Sequence, residues 1–222
     1  TSYGNDKAIF AYGYNGSAVT NKSNLVSNEG VVASDTTGVG SARVKPAANG
    51  YGTGGNALFA FGYISNVSNI QNLVSSSGVI ATDSTGVGAA RDSLAAAGYG
   101  TGLAIFGYGQ DASGGDNAIS TTNLVSSVGV VGSDVTGVGT VRYALAAVSY
   151  GGDKAVFSGG YVSGVGTTAV SNKVSNTGVV ASDTGAVGTV RYHLAAASYG
   201  GDKGAFAYGR QGGTRYSMKN LV

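Results

Sequence analysis

Apolar positions along the chain come in short bursts fenced by Gly, Ser, Thr, Asn and Asp. The clearest are Ala8-Ile9-Phe10, Ala57-Leu58-Phe59, Ala104-Ile105-Phe106, Ala155-Val156-Phe157 and Gly204-Ala205-Phe206. They are continuous where a half-exposed strand would alternate, so the pattern predicts a strand buried on both faces. Most of these bursts follow an Ala-rich stretch that ends in Tyr-Gly, a turn signal that makes a hairpin of the two. The Ala content of "LAAASYG" also suits a helix, but the stretch is short and fenced by Gly, so a strand is expected. After a polar loop comes an Asn/Val strand, a Ser-Gly or Thr-Gly split and one more short run. The pattern predicts four short strands per unit.

The units recur. Tyr3, Tyr51, Tyr99, Tyr150 and Tyr199 are separated by 48, 48, 51 and 49 residues. An Asn follows in each (Asn24, Asn72, Asn123, Asn172, Asn220), and in the first four an Arg always 19 residues after it. The next Tyr always comes 8 residues later, whereas the Tyr-to-Asn distance varies from 21 to 24. Length changes are tolerated in surface loops and not within paired strands, so one loop per unit varies and these loops are expected on one face. The chain reads as a single domain, 1–222, with units 3–50, 51–98, 99–149, 150–198 and a partial 199–222. Sheets that cannot cover their own faces must stack on one another, and a radial stack is a β-propeller. The last unit breaks off in its third strand, which leaves an open edge. A longer parent chain is the expected explanation, ahead of an edge supplied by another chain, as in a homo-oligomer, or a merging of the two end units.

Composition narrows the chemistry. Among 222 residues are 40 Gly and 1 Pro, with 11% charged, a profile that fits strands and tight turns, neither a disordered chain nor a collagen. With no Cys there is no disulfide or thiolate site. The net charge of +2 demands no anionic partner, nothing resembles a signal peptide and no apolar run is long enough for a membrane helix. Membrane insertion and nucleic-acid binding are therefore not expected.

Candidate chemical groups read mostly as structural. Asp35, Asp83, Asp134 and Asp183 lie 11 residues after the Asn, and Arg43, Arg91, Arg142 and Arg191 lie 8 after the Asp. One carboxylate per unit suits a structural tie between strands or blades better than a catalytic pair, so Arg and Asp are expected to share charge-assisted hydrogen bonds. The Gly-Val-Gly triplets at 38–40, 86–88 and 137–139 lack the context of a phosphate cradle and read as turns. His193 has no oriented partner for a triad, and Asp111 and Asp116 alone are too few for Ca²⁺. No enzyme, metal or cofactor is expected. The variable loops "YNGSAVTNKS", "YISNVSNIQ", "GQDASGGDNAISTT", "YVSGVGTTAVS" and "RQGGTRYSMK" combine Tyr with neutral donors suited to recognition. Candidate binding residues on that face are Tyr14, Asn15, Tyr63, Asn66, Gln110, Asp111, Asp116, Tyr161, Arg210, Arg215 and Tyr216. In the last unit Lys203, Arg210, Arg215 and Lys219 gather with Tyr208 and Tyr216, opposed by Asp202.

Arg, a small apolar strand, a turn, "KAVFSGGY", a loop, an Asn/Val strand and an Asp-bearing run together resemble a degenerate kelch repeat. Gly159-Gly160 stands at the diglycine of that family, and Tyr12-Gly13, Phe61-Gly62, Tyr108-Gly109 and Tyr208-Gly209 stand there in the other units. The family's Trp is absent, with "DTTGVG" in its place. The resemblance implies an all-β, kelch-like propeller of about five four-stranded blades. The Ala/Gly/Ser/Tyr-rich wording is also similar in style to repeat-containing structural proteins of tailed bacteriophages, marine ones among them. That likeness implies a non-enzymatic virion or attachment module whose loop face contacts a host-surface glycan or protein, or a neighbouring virion protein, and an extracellular location in the particle. A soluble carbohydrate-binding propeller is the alternative.

Overall fold

A computed structural model describes residues 1–111, 117–185 and 188–222. Among these residues the chain is all-β, with no helix. Five antiparallel sheets of three strands follow one another: β1 (Ser2–Tyr3), β2 (Lys7–Tyr14) and β3 (Val19–Val26); β4 (Ala47–Tyr51), β5 (Asn56–Ala60) and β6 (Gln71–Val74); β7 (Ala95–Tyr99), β8 (Leu103–Gly107) and β9 (Thr122–Val125); β10 (Ala146–Tyr150), β11 (Lys154–Ser158) and β14 (Ser171–Val174); β15 (Ala195–Tyr199), β16 (Lys203–Ala207) and β19 (Lys219–Leu221). Two hairpins, β12 (Tyr161–Val162) with β13 (Gly166–Thr167) and β17 (Arg210–Gln211) with β18 (Thr214–Arg215), decorate the fourth and fifth units. The Ala-rich stretches are strands throughout, and each pairs in full register with the apolar burst after it, as in Ala147 opposite Phe157. The sheets are small and none closes on itself.

Each unit was expected to hold four strands, and three form. The fourth run touches its neighbour through single bridges, such as Gln71 with Ser84 and Val74 with Ile80. Gly and Asp interrupt the run, so it gains a few ladder bonds without regular strand geometry.

The core lies between the sheets. Along β5, Ala57 and Phe59 pack with Ile9 of the first sheet, and Leu58 and Ala60 pack with Phe106 of the third. Along β11, Ala155 and Phe157 pack with Ile105, while Val156 meets Phe206. Alternate residues of a strand point to opposite faces, and here each face meets a different neighbour, which explains why the bursts are continuous. Backbone bonds join successive hairpin turns: Gly4 N–H to Gly55 O (2.7 Å), Gly52 to Gly102 (2.8 Å), Gly100 to Asp153 (2.7 Å) and Gly151 to Asp202 (2.6 Å). Glycine is needed where Tyr51 lies against the next-sheet turn, because a Cβ on Gly129, at φ +81°, would stand 2.6 Å from the ring.

The arginines are the largest fully buried side chains. Arg43, Arg91 and Arg142, each leading into a new sheet, lie 3.9, 4.0 and 4.1 Å above the rings of Tyr12, Phe61 and Tyr108 of the sheet before it. Those aromatic residues adopt φ of 66°, 63° and 63°, which turns the ring under the guanidinium. Arg142 donates through Nε to Gly159 O and through Nη1 to Thr140 O, both at 2.9 Å. Burial pushes Arg91 down to about 10, still protonated at neutral pH.

The repeated Arg and Asp do not form the direct hydrogen bonds expected of them. Arg91 Nη1 and Asp134 Oδ1 are 3.9 Å apart, outside hydrogen-bond range. Asp183 instead accepts from the Thr140 hydroxyl (2.6 Å) and from the Asn172 amide (2.9 Å), and Asp83 does the same with Ser41 and Asn72. These carboxylates clamp the segment entering a sheet to its last run. Asp35 is held differently, by Lys22 (2.7 Å) and Asn24 (2.9 Å).

Two outcomes follow from this packing. Phe157 is fully buried and Phe10 is 62% exposed, although both sit in the same phrase. Phe157→Ala should cost about 3–5 kcal/mol and Phe10→Ala less than ~1 kcal/mol, measured by denaturant unfolding of the two variants. For Asp83 and Asp183, burial opposes ionisation but the hydroxyl, amide and backbone N–H donors outweigh it, so both lie below the ordinary carboxylate value. Their stabilisation is present above the unfolded value of about 3.9 and is lost as pH falls through their lower folded values. Melting temperatures measured from pH 6 down to about 2 should fall in the acid range, and more shallowly in the Asp83→Asn/Asp183→Asn double variant.

Candidate binding face

The variable loops meet the start of each sheet through paired backbone bonds. Val44 pairs with Tyr63, Asp92 with Gln110, Tyr143 with Tyr161 and Tyr192 with Arg210. The residue after each buried Arg is therefore placed beside the first residue of its own loop. At the fourth and fifth sheets this brings aromatic rings together. Tyr143 and Tyr161 have centroids 5.5 Å apart, Tyr161 and Tyr192 another 5.5 Å across the sheet boundary, and Tyr192 and His193 4.8 Å. The Arg210 guanidinium lies 4.7 Å from the Tyr192 centroid. A depression of about 350 Å³ beside them is lined by His193, Tyr208, Gly209, Arg210, Arg215 and Tyr216. Tyr216 is anchored by its N–H to Gly209 O (2.9 Å) and its hydroxyl to Gln211 Oε1 (3.2 Å).

The ridge continues toward a second depression of about 270 Å³. Lys45, Ser93, Ala144 and His193, equivalent residues of four units, line it together with the residue after each. All four are left-handed, with φ between 53° and 55°. Backbone bonds link them in sequence, His193 N–H to Ala144 O and Ala144 N–H to Ser93 O, both 2.8 Å. Lys45 Nζ is 3.5 Å from Asp92, which is buried and accepts the Ser93 hydroxyl at 2.6 Å. Partial burial, then the charges of Arg210 and Lys45, hold His193 below its ordinary value, so the imidazole is neutral at pH 7.

Of the residues singled out from the sequence, the structure gathers Tyr161, Arg210, Arg215 and Tyr216 at this ridge. Tyr14 and Asn15 belong to the first loop, where Asn15 Oδ1 accepts from Ser17 and Ala18 in a tight turn. Asn66 folds back on Val67, and Asp111 accepts from Asn117 at 2.7 Å. Asp116 lies outside the described residues. Tyr143, Tyr192 and His193 were not singled out for binding, although the spellings "RYALAA" and "RYHLAA" set a Tyr directly after the buried Arg ahead of these two sheets alone. Among the described residues, no group of three His, Asp or Glu converges as a metal site, and no helix is long and apolar enough to cross a membrane. In comparisons with known proteins, no family model matches the chain and no curated protein matches it at a significant level.

The positive surroundings of His193 give a direct check. Lys45→Met or Arg210→Met should raise the His193 midpoint in an NMR pH titration, each toward the unperturbed value of about 6.5.

Proposed function

We propose that this chain is a non-enzymatic attachment module whose sheets are the blades of a kelch-like propeller and whose loop face makes one asymmetric contact. The contact is with a neighbouring virion protein or a host surface, as the likeness in style to tailed-phage structural proteins implies. The circular arrangement is supported by equivalent residues of the first strands of all five sheets, Ser2, Gly50, Gly98, Ser149 and Ser198, which line a single depression. Lys45 and His193, three units apart, likewise share the depression at the loop end.

The observation that carries the binding role is the ridge Tyr143–Tyr161–Tyr192 with Arg210 stacked at its end. Tyr and Arg are the side chains that anchor protein contacts, since they offer large rigid area with a polar tip. The ridge belongs to the last two sheets alone; Val44 and Asp92 occupy the corresponding positions earlier. A lectin with one sugar site per blade should repeat its loop residues, and here they diverge.

Glycan arrays probed with micromolar chain separate these functions. Background signal is expected across the array, while envelope or particle fractions that carry the partner retain the labelled chain. Tyr192→Ala and Arg210→Ala should each reduce retention about tenfold, roughly 1.4 kcal/mol. A strong glycan signal would put sugar binding first, and unchanged retention in both variants would remove the ridge from the contact.

A further inference from the structure

Asn followed directly by Gly occurs twice in this chain, as Asn15-Gly16 and Asn49-Gly50. Such a pair can react with itself. The backbone nitrogen of the Gly adds to the side-chain carbonyl carbon of the Asn, ammonia leaves, and water opens the resulting succinimide to Asp or isoaspartate. Glycine, lacking a Cβ, lets its nitrogen approach, so local conformation decides whether the reaction runs. The fold treats the two pairs in opposite ways.

Asn15 opens the loop between β2 and β3 and is exposed. Its Oδ1 accepts from Ser17 N–H at 3.0 Å and from Ala18 N–H at 2.9 Å. The first of these bonds closes a ring through the Gly16 peptide, which folds the side chain back along the backbone and carries its carbonyl carbon toward Gly16 N. Both N–H groups aim at the oxygen that becomes negative when that nitrogen adds, as donors in an oxyanion hole do. Gly16 has φ +96°, no atom stands within 4 Å of the place of a Cβ, and its N–H donates to no protein group among the described residues. Water reaches both the N–H and the ring that forms. This exposure belongs to the loop tip and not to the end of the sheet stack, since Ser65, Asn66 and Gly164, at the tips of inner-sheet loops, are exposed as well.

Asn49 is placed otherwise. It sits inside β4 opposite Leu58, with Gly50 opposite Ala57, and its Nδ2 donates to Gly50 O at 2.8 Å. Extended backbone holds the Gly50 nitrogen away from the side-chain carbon, so β4 has to open before the reaction starts. Asn66, exposed like Asn15, is followed by Val67, whose own N–H is held by Asn66 Oδ1 at 2.8 Å and whose branched side chain crowds the nitrogen.

We propose that Asn15 is a site of spontaneous modification, converting through a succinimide with Gly16 N to Asp and isoaspartate. The new C–N bond forms at Asn15 Cγ. The Gly16 N–H proton passes to hydroxide and is returned to the side-chain nitrogen, which leaves as ammonia; ring opening consumes one water and needs no other reactant. The product places a negative charge on the loop face, and isoaspartate adds a backbone methylene to a turn that Asn15 N–H closes on Ala18 O at 3.1 Å. Copies of the chain therefore come to differ at this loop with age.

Peptide mapping by mass spectrometry tests this on the whole folded chain, held for several days at pH 7.4 and 37 °C in heavy-oxygen water. Asn15 should convert to a mixture of Asp and isoaspartate that has taken up one labelled oxygen, while Asn49 converts at least about tenfold more slowly. In urea, which removes the turn and β4 alike, the two rates should come together. Direct hydrolysis of the amide gives Asp alone. An Asn15 that keeps its amide in the folded chain, equal conversion of Asn15 and Asn49 there, or conversion of Asn15 without isoaspartate would each overturn the proposal.

Discussion

Everything in this protein depends on strands that have no exposed face. Each of the three inner middle strands, β5, β8 and β11, sends alternate side chains into two different layers, so a sheet owns half of each layer and completes neither alone. Stability is then a sum over sheet boundaries, as in other repeat architectures, and isolated sheets gain too little burial to offset the entropy of ordering them. The buried arginines reinforce the same boundaries. Arg43, Arg91 and Arg142 each leave water and recover part of the cost by lying on a ring of the preceding sheet and donating to backbone carbonyls, interactions that strengthen where water is excluded.

The scaffold constants explain where variation is allowed. Asn, Asp and Arg keep fixed separations because Asn172, Asp183 and Thr140 form one hydrogen-bonded clamp, and a residue inserted between them would break it. The loop before the Asn is tied in only near its end, as by Asn69 to Gly86 O and Gly88 O, and its tip changes in length and wording. The contact we propose would thus be written on segments that the boundaries hold in place. The left-handed residues Lys45, Ser93, Ala144 and His193 mark the rim between the two. Such backbone costs ~1–3 kcal/mol for a residue with a side chain, and it is kept where the chain must turn sharply from the buried Arg into an inner strand.

Much of this was legible in the sequence. The period, the hairpin of Ala-rich strand and apolar burst, the two-faced burial and the single variable loop all follow from local spelling and constant spacing. The fourth strand was overcounted because Ser-Gly and Thr-Gly splits look alike whether the following run pairs fully or only at single bridges. The Arg–Asp link was drawn too directly, since spacing reveals that two groups recur together but not that an Asn and a hydroxyl stand between them. The tyrosine ridge was missed for a related reason. Tyr143 and Tyr192 lie far in sequence from the loops they join, and the bond pairs that seat them beside Tyr161 and Arg210 become visible only when the sheets are in place.

Native-state hydrogen exchange tests the dependence on neighbours most directly, because it reports the opening of each sheet separately. Amides of β5, β8 and β11, covered on both sides, should exchange slowest, and those of β2 and β16, each covered on one side, should exchange markedly faster. Equal protection in end and middle sheets would contradict a fold whose sheets are stable only against one another.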